Sequence, residues 1–499
     1  MAEWQRARLI PVSGIKSEQE AEMRAASALL AVLEAVRDLS VAIFSPLGAS
    51  RAQRAEVLCY TEVPFKVGSG QSTSRPDGLV QVNFGKATWT ALVEVKTGTA
   101  TLNADQINGY WDIAREHGFD AVITISNEIA ASKDAHPTEG LKVRANSKVK
   151  VHHFSWTALL STCEVIKDHH GVEDPDQAWI LGELIRYLGH PNSGATAFDD
   201  MGAEWVTVRD AARDQGLRKS DPAVREVAQR WDQLLRFAAL RLEANVGQPV
   251  TQQLPTTQRE PAKRLQYVMD QLASAGQLDG VLRIPNTIGD LEFTVDLRAR
   301  RITAAVSVPA PEDRGGRARC TWLANQLDSE VDPRLVIEAF ARNARTPTTA
   351  TLQAVRDNKD ILIGADKKDP ARFRLSLTRE MGAARKTGRK AAGFIDSVLG
   401  LLTDFYGTVV QDLTAWAPTA PKITKAPTVV GAGAADTASV PPALAASTFA
   451  PAQPDHDEPA IVGPDAPPVG FHRSESDDQD ESPSDPESSD GLSFSESGE

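Results

Sequence analysis

Between residues 17 and 40 apolar side chains recur every three or four positions, at Met23, Ala26, Leu29, Leu30, Leu33 and Val36. That spacing predicts one amphipathic helix, with Ser17 and Glu20 as its capping box. The period then falls to two: residues 57–65, 78–84 and 89–97 read as strands, the last two joined by a bend at Asn83 and Gly85. A helix capped by Asn103 runs to His117 and Gly118, and a buried strand follows over 119–126, with a further strand over 148–156 and a helix over 176–188. The order α, β, β, β, α, β predicts an α/β domain over residues 1–195.

From Glu204 the pattern turns to long helical stretches, then to an alternating run over 280–308, then to helices over 333–342, 349–356 and 391–414. These elements predict a separate α+β domain over 204–416, in which no chemical motif stands out. After Trp416 the composition changes again, with 13 of the 30 prolines mixed among Ala, Ser, Thr and Gly before an acidic, serine-rich run from Ser474. Residues 417–499 are therefore expected to be a disordered acidic tail.

Of the 499 residues, 41% are apolar and 24% charged, which excludes a fibrous or wholly disordered chain. The net charge of −13 is local: residues 417–499 carry 15 acids and 3 bases, leaving 52 acids and 51 bases before them. A near-neutral body does not argue against a polyanionic partner, because steering depends on local charge. Cys59, Cys163 and Cys320 form no Cys-x-x-Cys pair, which argues against a disulfide framework and a cysteine zinc site and fits a reducing compartment. No run approaches the ~20 apolar residues of a membrane helix, so the expectation is a soluble, cytoplasmic protein without a membrane partner. His152-His153 and His169-His170 are poor zinc candidates, since adjacent strand residues point opposite ways.

The segment with most chemistry is Arg75-Pro76-Asp77-Gly78 followed by Ala91-Leu92-Val93-Glu94-Val95-Lys96-Thr97-Gly98. Strand alternation puts Leu92, Glu94 and Lys96 on one face and Ala91, Val93 and Val95 on the other. If the hairpin closes around residues 83–86, Asp77 comes near Glu94, and two carboxylates meet an ammonium at one sheet end. A lone Glu-x-Lys is ordinarily a solvated pair, but a charge inside Ala-Leu-Val-Glu-Val-Lys needs a partner, because unpaired burial is costly. Such a cluster suits phosphodiester hydrolysis: hard oxygen ligands hold Mg²⁺, with Mn²⁺ as an alternative, and the lysine positions water or stabilises phosphate charge. Gln106 and Tyr110, four apart on the following helix, can support it. Glu22 lies in line with Ala25, Ala26, Leu29 and Leu33 and is a candidate third ligand, with Glu62 a weaker one.

Pro76-Asp77, a spacing of 17 residues, Glu94-Val95-Lys96, and Gln106-Ile107-Asn108-Gly109-Tyr110 resemble the three successive motifs of the PD-(D/E)xK nuclease superfamily, the last being the Gln-x-x-x-Tyr pattern of its RecB-like branch. The likeness covers about residues 15 to 160. It implies a restriction-endonuclease-like αβββαβ core within 1–195. It also implies metal ligands at Asp77 and Glu94, a catalytic lysine at Lys96 and a supporting pair at Gln106 and Tyr110. The expected function is Mg²⁺-dependent hydrolysis of nucleic acid, most simply DNA, in defence against foreign DNA or in repair. An RNA nuclease, or a binding or scaffold protein that keeps the fold without catalysis, are the alternatives. Residues 204–416 are then expected to recognise substrate or to mediate a homo-oligomer or partner contact. The basic stretch 379–390, with Arg385, Lys386, Arg389 and Lys390, suits phosphate at a helix start.

Overall fold

The computed structural model describes residues 7–49, 54–67, 72–130, 136–143, 146–195, 197–214, 216–364, 368–387 and 393–418. The expected tail beyond residue 418 lies outside them, as do Arg389 and Lys390. The fold is mixed α/β.

Helix α1 (Glu18–Ala35) starts where Ser17 Oγ accepts the Glu20 N–H at 3.2 Å. The Glu20 carboxylate turns back one residue further than a capping box requires, accepting the Lys16 N–H at 2.9 Å. The single helix expected over 17–40 is two. Val36 is extended (φ −108°, ψ 101°), and α2 (Arg37–Phe44) begins after it. This break lets a fully buried β-branched side chain fill the core at the corner. Met23 is exposed, because the buried stripe runs through Ala21, Ala25, Leu29, Val32 and Leu33.

Strand β1 (Glu56–Thr61) is followed by the hairpin β2 (Phe65–Val67) and β3 (Ser72–Ser74), then β4 (Gly78–Phe84), β5 (Ala87–Val95), α3 (Ala104–His117), β6 (Ala121–Ser126) and β7 (Lys150–Ser155). The strand expected over 57–65 is interrupted at Glu62, whose φ of 50° takes it out of extended geometry. The order in the five-stranded sheet is β1-β4-β5-β6-β7, antiparallel through β5 and parallel from β5 to β7. Parallel β5 and β6 require a crossover, which α3 provides. Ala91, Val93 and Val95 pack with Leu29, Leu33 and Trp156 on one face, while Leu92 packs with Tyr110, Ile113 and Val122 on the other, as the alternation predicts. Helix α4 (Trp156–Val165), unanticipated in the sequence, is capped by Ser155 and precedes α5 (Pro175–Leu188).

The second core begins with α6 (Trp205–Arg213), α7 (Pro222–Val246), β8 (Thr251–Gln252) and α8 (Pro261–Ala275). It continues through β9 (Gln277–Arg283), β10 (Leu291–Asp296), β11 (Arg301–Pro309) and α9 (Gly316–Gln326), then β12 (Val336–Ala341), β13 (Thr348–Thr351), α10 (Leu352–Asp357), β14 (Pro370–Glu380) and α11 (Phe394–Phe405). The seven strands form an antiparallel sheet in the order β13-β12-β14-β11-β10-β9-β8. The helix expected over 333–342 is therefore corrected to strand β12, and the first half of 349–356 to β13. Ile337 and Ala339 alternate inward, and pairing with β14 outweighs a helical spacing too short to be decisive. Both sheets fall within the compact unit Met1–Pro421, where α4 and α7 meet and Ser161 Oγ donates to Leu240 O at 2.9 Å. No helix among the described residues is long and apolar enough to cross a membrane.

Arg264 Nε lies 3.0 Å from Asp232 Oδ1, and the two side chains are 6% and 8% exposed. Arg264 also donates to Gln258 and to Asp279 O. Asp232→Ala leaves a buried guanidinium without its counter-charge, so the loss of stability should be about 3–5 kcal/mol in a urea titration. A loss under about 1 kcal/mol would mean that the pair is open to water.

Candidate active site

Gly78 pairs with Val93 across the antiparallel β4–β5 ladder, so Asp77 and Glu94 stand opposite one another at the next position. Asp77 is held there by its own side chain, Oδ2 accepting the Val95 N–H at 2.7 Å, while its carbonyl accepts from Glu62 N at 3.3 Å. The backbone packs closely beside it: a Cβ at Gly78 would lie 2.6 Å from Leu30 Cδ1 and 3.3 Å from Val93 Cβ, so a side chain there would have to displace Leu30. Glu62 itself is exposed in the bend after β1 and holds Asp77 through its backbone.

Glu94 is 1% exposed. Its Oε1 is 2.8 Å from Lys96 Nζ in an ion pair, and among the described residues neither carboxylate oxygen accepts a hydrogen bond of good geometry. Lys96 Nζ also reaches Glu22 Oε2 on α1 at 3.3 Å, so three carboxylates surround one ammonium. Burial first, and then the charge of Asp77, push the Glu94 carboxyl up to about 7. Burial likewise raises Asp77 against the Val95 hydrogen bond and the Lys96 charge, with Glu22 adding to the rise. For Lys96 burial acts downward, but Glu94, Glu22 and Asp77 together outweigh it and hold the ammonium charged.

Asn103 caps α3 by accepting the Asp105 and Gln106 N–H groups, which aims the first turn at the sheet end. Gln106 Nε2 donates to Tyr110 OH at 3.0 Å, and the phenol reaches Arg75 O at 3.4 Å, just before Asp77. Burial and then the Glu94 charge raise the Tyr110 phenol well above its usual value, so it remains protonated. All six residues singled out in the sequence, Glu22, Asp77, Glu94, Lys96, Gln106 and Tyr110, thus gather at the C-terminal end of β5.

Several supports had no signal in the sequence because their partners are distant along the chain. Trp156 Nε1 donates to Lys96 O at 2.8 Å from inside the core. Gly98 N donates to Gly194 O at 2.9 Å, and Asn127 Nδ2 donates to both Gly98 O and Gly194 O. Gly194 has φ 76° and no room for a side chain, a Cβ there lying 2.8 Å from Thr97 Cβ. Thr124, level with Glu94 on β6, joins two histidines through its hydroxyl. Thr138 N–H donates to His136 Nδ1 and Glu128 O accepts from His153 Nε2, so His136 Nε2 donates to Thr124 Oγ1, and the one hydroxyl proton is shared between His152 O at 3.2 Å and His153 Nδ1 at 3.1 Å. Both rings are neutral, lowered to about 4 chiefly by burial. His169, of the other pair, contacts Ala244 O at 2.9 Å.

Elsewhere, Arg379, the next-to-last residue of β14, pairs with Asp404, and Arg385 and Lys386 face Asp200 at 3.6 and 3.7 Å. Arg385 and Lys386, the described members of the basic set, therefore each face a carboxylate, while Arg389 and Lys390 lie outside the described residues. Cys59, Cys163 and Cys320 are free thiols. Among the described residues no group of three or more His, Cys, Asp or Glu side chains is placed to hold a metal ion, the expected set Glu22, Asp77 and Glu94 included. No family model, curated protein or solved structure matches this chain.

The raised Glu94 carboxyl carries a stability signature. Stabilisation from its proton is complete below the unfolded value of 4.5 and is lost as pH rises through about 7. Glu94→Gln removes the charge at every pH. Its melting temperature in EDTA should therefore gain on the wild type between pH 5 and pH 8.5, and a difference independent of pH would show that Glu94 is solvated.

Proposed function

We propose that this chain is a metal-dependent phosphodiesterase that cleaves nucleic acid, DNA in the first instance, through a restriction-endonuclease-like core of the PD-(D/E)xK type in residues 1–195. The observation that carries this reading is Glu94, a carboxylate 1% exposed with two oxygens lacking hydrogen-bond donors of good geometry, facing Asp77 across a strand pair and Lys96 at 2.8 Å. A buried carboxylate pair with one ammonium holds surplus negative charge, and a divalent cation relieves it. The donor set is all oxygen, which favours Mg²⁺ or Mn²⁺ over softer metals. Such an ion keeps several waters and needs only one or two carboxylates from the protein, so the lack of a three-ligand group among the described residues is compatible with it.

Asp77 and Glu94 would hold the ion, with Glu22 balancing Lys96 from α1. When bound, the ion polarises the phosphate and acidifies a coordinated water. Lys96, kept charged by its three carboxylates, offers an ammonium to the phosphate oxygens or to the attacking water, and its carbonyl is pinned by Trp156. Tyr110 and Gln106 supply neutral donors at the same end of the sheet and brace the segment before Asp77. Defence against foreign DNA or repair is the setting that this chemistry suits. Residues 204–416 are assigned to substrate recognition or assembly.

The test is incubation with linear, circular and single-stranded DNA and with RNA, in Mg²⁺, Mn²⁺ or EDTA. We expect cleavage that EDTA stops. Asp77→Ala, Glu94→Ala and Lys96→Ala should each abolish it in a folded protein. The two carboxylate variants should also lose Mg²⁺ binding in calorimetry, whereas Lys96→Ala retains it. Wild-type cleavage rates in all three variants, or no metal-dependent cleavage of any substrate, would overturn the proposal in favour of a binding protein without catalysis.

Gln106→Ala and Tyr110→Phe should lower cleavage by about 10- to 1000-fold, through a displaced lysine or substrate and without loss of Mg²⁺ binding. Unchanged single-turnover rates would assign the pair to packing alone.

A further inference from the structure

Helix α3 carries more than the supporting pair. One residue past Tyr110, Trp111 turns toward a cavity of about 470 Å³ that it lines with Arg115, Lys142, Asn146, Ser147, Lys148 and Val149. The far wall is tied to the helix at two points. Trp111 Nε1 donates to Val149 O at 3.2 Å, and the buried Asn108 accepts the Lys142 N–H at 2.8 Å while donating to Gly140 O. The groove is thus built along the same helix whose first turn meets the candidate active site. Gln106 and Trp111 are separated by about 7.5 Å of helix rise.

Its surface has two chemistries. The Arg115 guanidinium lies over the Trp111 ring, 5.0 Å from its centroid, so a planar cation and an aromatic ring share one part of the groove. Around it Arg115, Lys142 and Lys148 are exposed, and of the three only Arg115 has an ion pair among the described residues, to Asp112 at 3.1 Å. Planar stacking surface beside unneutralised ammonium groups is what an unstacked base and its flanking phosphates require. A duplex keeps its base faces inside the stack and cannot use the ring. An acidic peptide would use the lysines and leave the stacking surface idle.

We propose that this groove binds a single-stranded stretch of nucleic acid, with a base stacked on the Arg115–Trp111 pair and phosphates on Lys142 and Lys148, feeding the strand along α3 to Asp77, Glu94 and Lys96. The feeding step rests on the nuclease reading; the binding step does not. The base faces and phosphates engaged are common to DNA and RNA.

The test is fluorescence anisotropy with the full-length chain in EDTA, using a labelled 12-nucleotide single-stranded DNA, its RNA counterpart and the corresponding duplex over a salt series. Single strands should bind more tightly than duplex. Lys142→Ala with Lys148→Ala should weaken binding and flatten the log–log salt slope by about 1.4, as two phosphates lose their partners. Arg115→Ala and Trp111→Ala should each weaken single-strand binding on the order of tenfold or more and leave duplex binding unchanged. Since Trp111 also braces Val149, circular dichroism accompanies that variant, and Arg115→Ala with the lysine pair decides the matter if it unfolds. Single-strand affinities and salt slopes equal to wild type in the Arg115 and lysine variants would overturn the groove, whether or not the protein cleaves. Binding that depends on the groove, without cleavage in Mg²⁺, would leave the groove standing and remove the nuclease reading.

Discussion

A carboxylate kept almost fully out of water, opposite a second carboxylate, is the constraint on which the candidate site depends. Glu94 has nowhere else to place its charge: its strand is buried, its neighbour across the ladder is Asp77, and its counter-ion within the chain is Lys96. Burial raises both acids, and the charge of Asp77 adds to the rise at Glu94. A group that unfavourable for folding persists in a marginally stable protein when something other than folding uses it, which is the physical ground for treating the cluster as functional.

Holding such a cluster requires a rigid frame, and the chain supplies one from three directions. The hairpin fixes Asp77 through Val95, the parallel strand β6 fixes Lys96 through Ile125, and Trp156 reaches the Lys96 carbonyl from α4. Past the strand, the Gly98–Gly194–Asn127 knot ties the exit of β5 to the loop after α5. The neutral chain through His136, Thr124 and His153 closes the next two strands on the same side. Every proton in that chain has an acceptor, so it braces the sheet without adding charge beside Glu94.

The second sheet supplies a much larger apolar core, in which Trp205 stacks on Phe394 at 4.2 Å and Trp231 packs nearby. Ile129, two residues after Asn127, belongs to that core rather than to the first. The loop that bears on Gly98 is therefore anchored in the second body, and the α4–α7 contact joins the two. Packing in residues 204–416 is coupled in this way to the exit of β5.

What the sequence determined by itself was local. Alternation in Ala-Leu-Val-Glu-Val-Lys decided which side chains share a face, and Asn103 and Gly118 set the ends of α3, because period and caps act over a few residues. The six candidate residues were legible from local settings of different kinds: Glu94 is a charge in an apolar strand, Lys96 stands two residues on, Gln106 and Tyr110 have helical spacing, Glu22 lies in line with an apolar stripe, and Asp77 starts the hairpin. The two-helix corner at Val36, strand β12 and the clamps from Trp156, Asn127 and Gly194 were not legible. Each is decided by a partner far along the chain: the core that Val36 fills, the β14 ladder that makes 336–341 a strand, and a carbonyl 60 residues from Trp156. Short-range propensity is worth tenths of a kcal/mol per residue, and burial or a complete ladder outweighs it. Only the tertiary structure could therefore place a charged lysine among three carboxylates and lay a basic aromatic groove beside them.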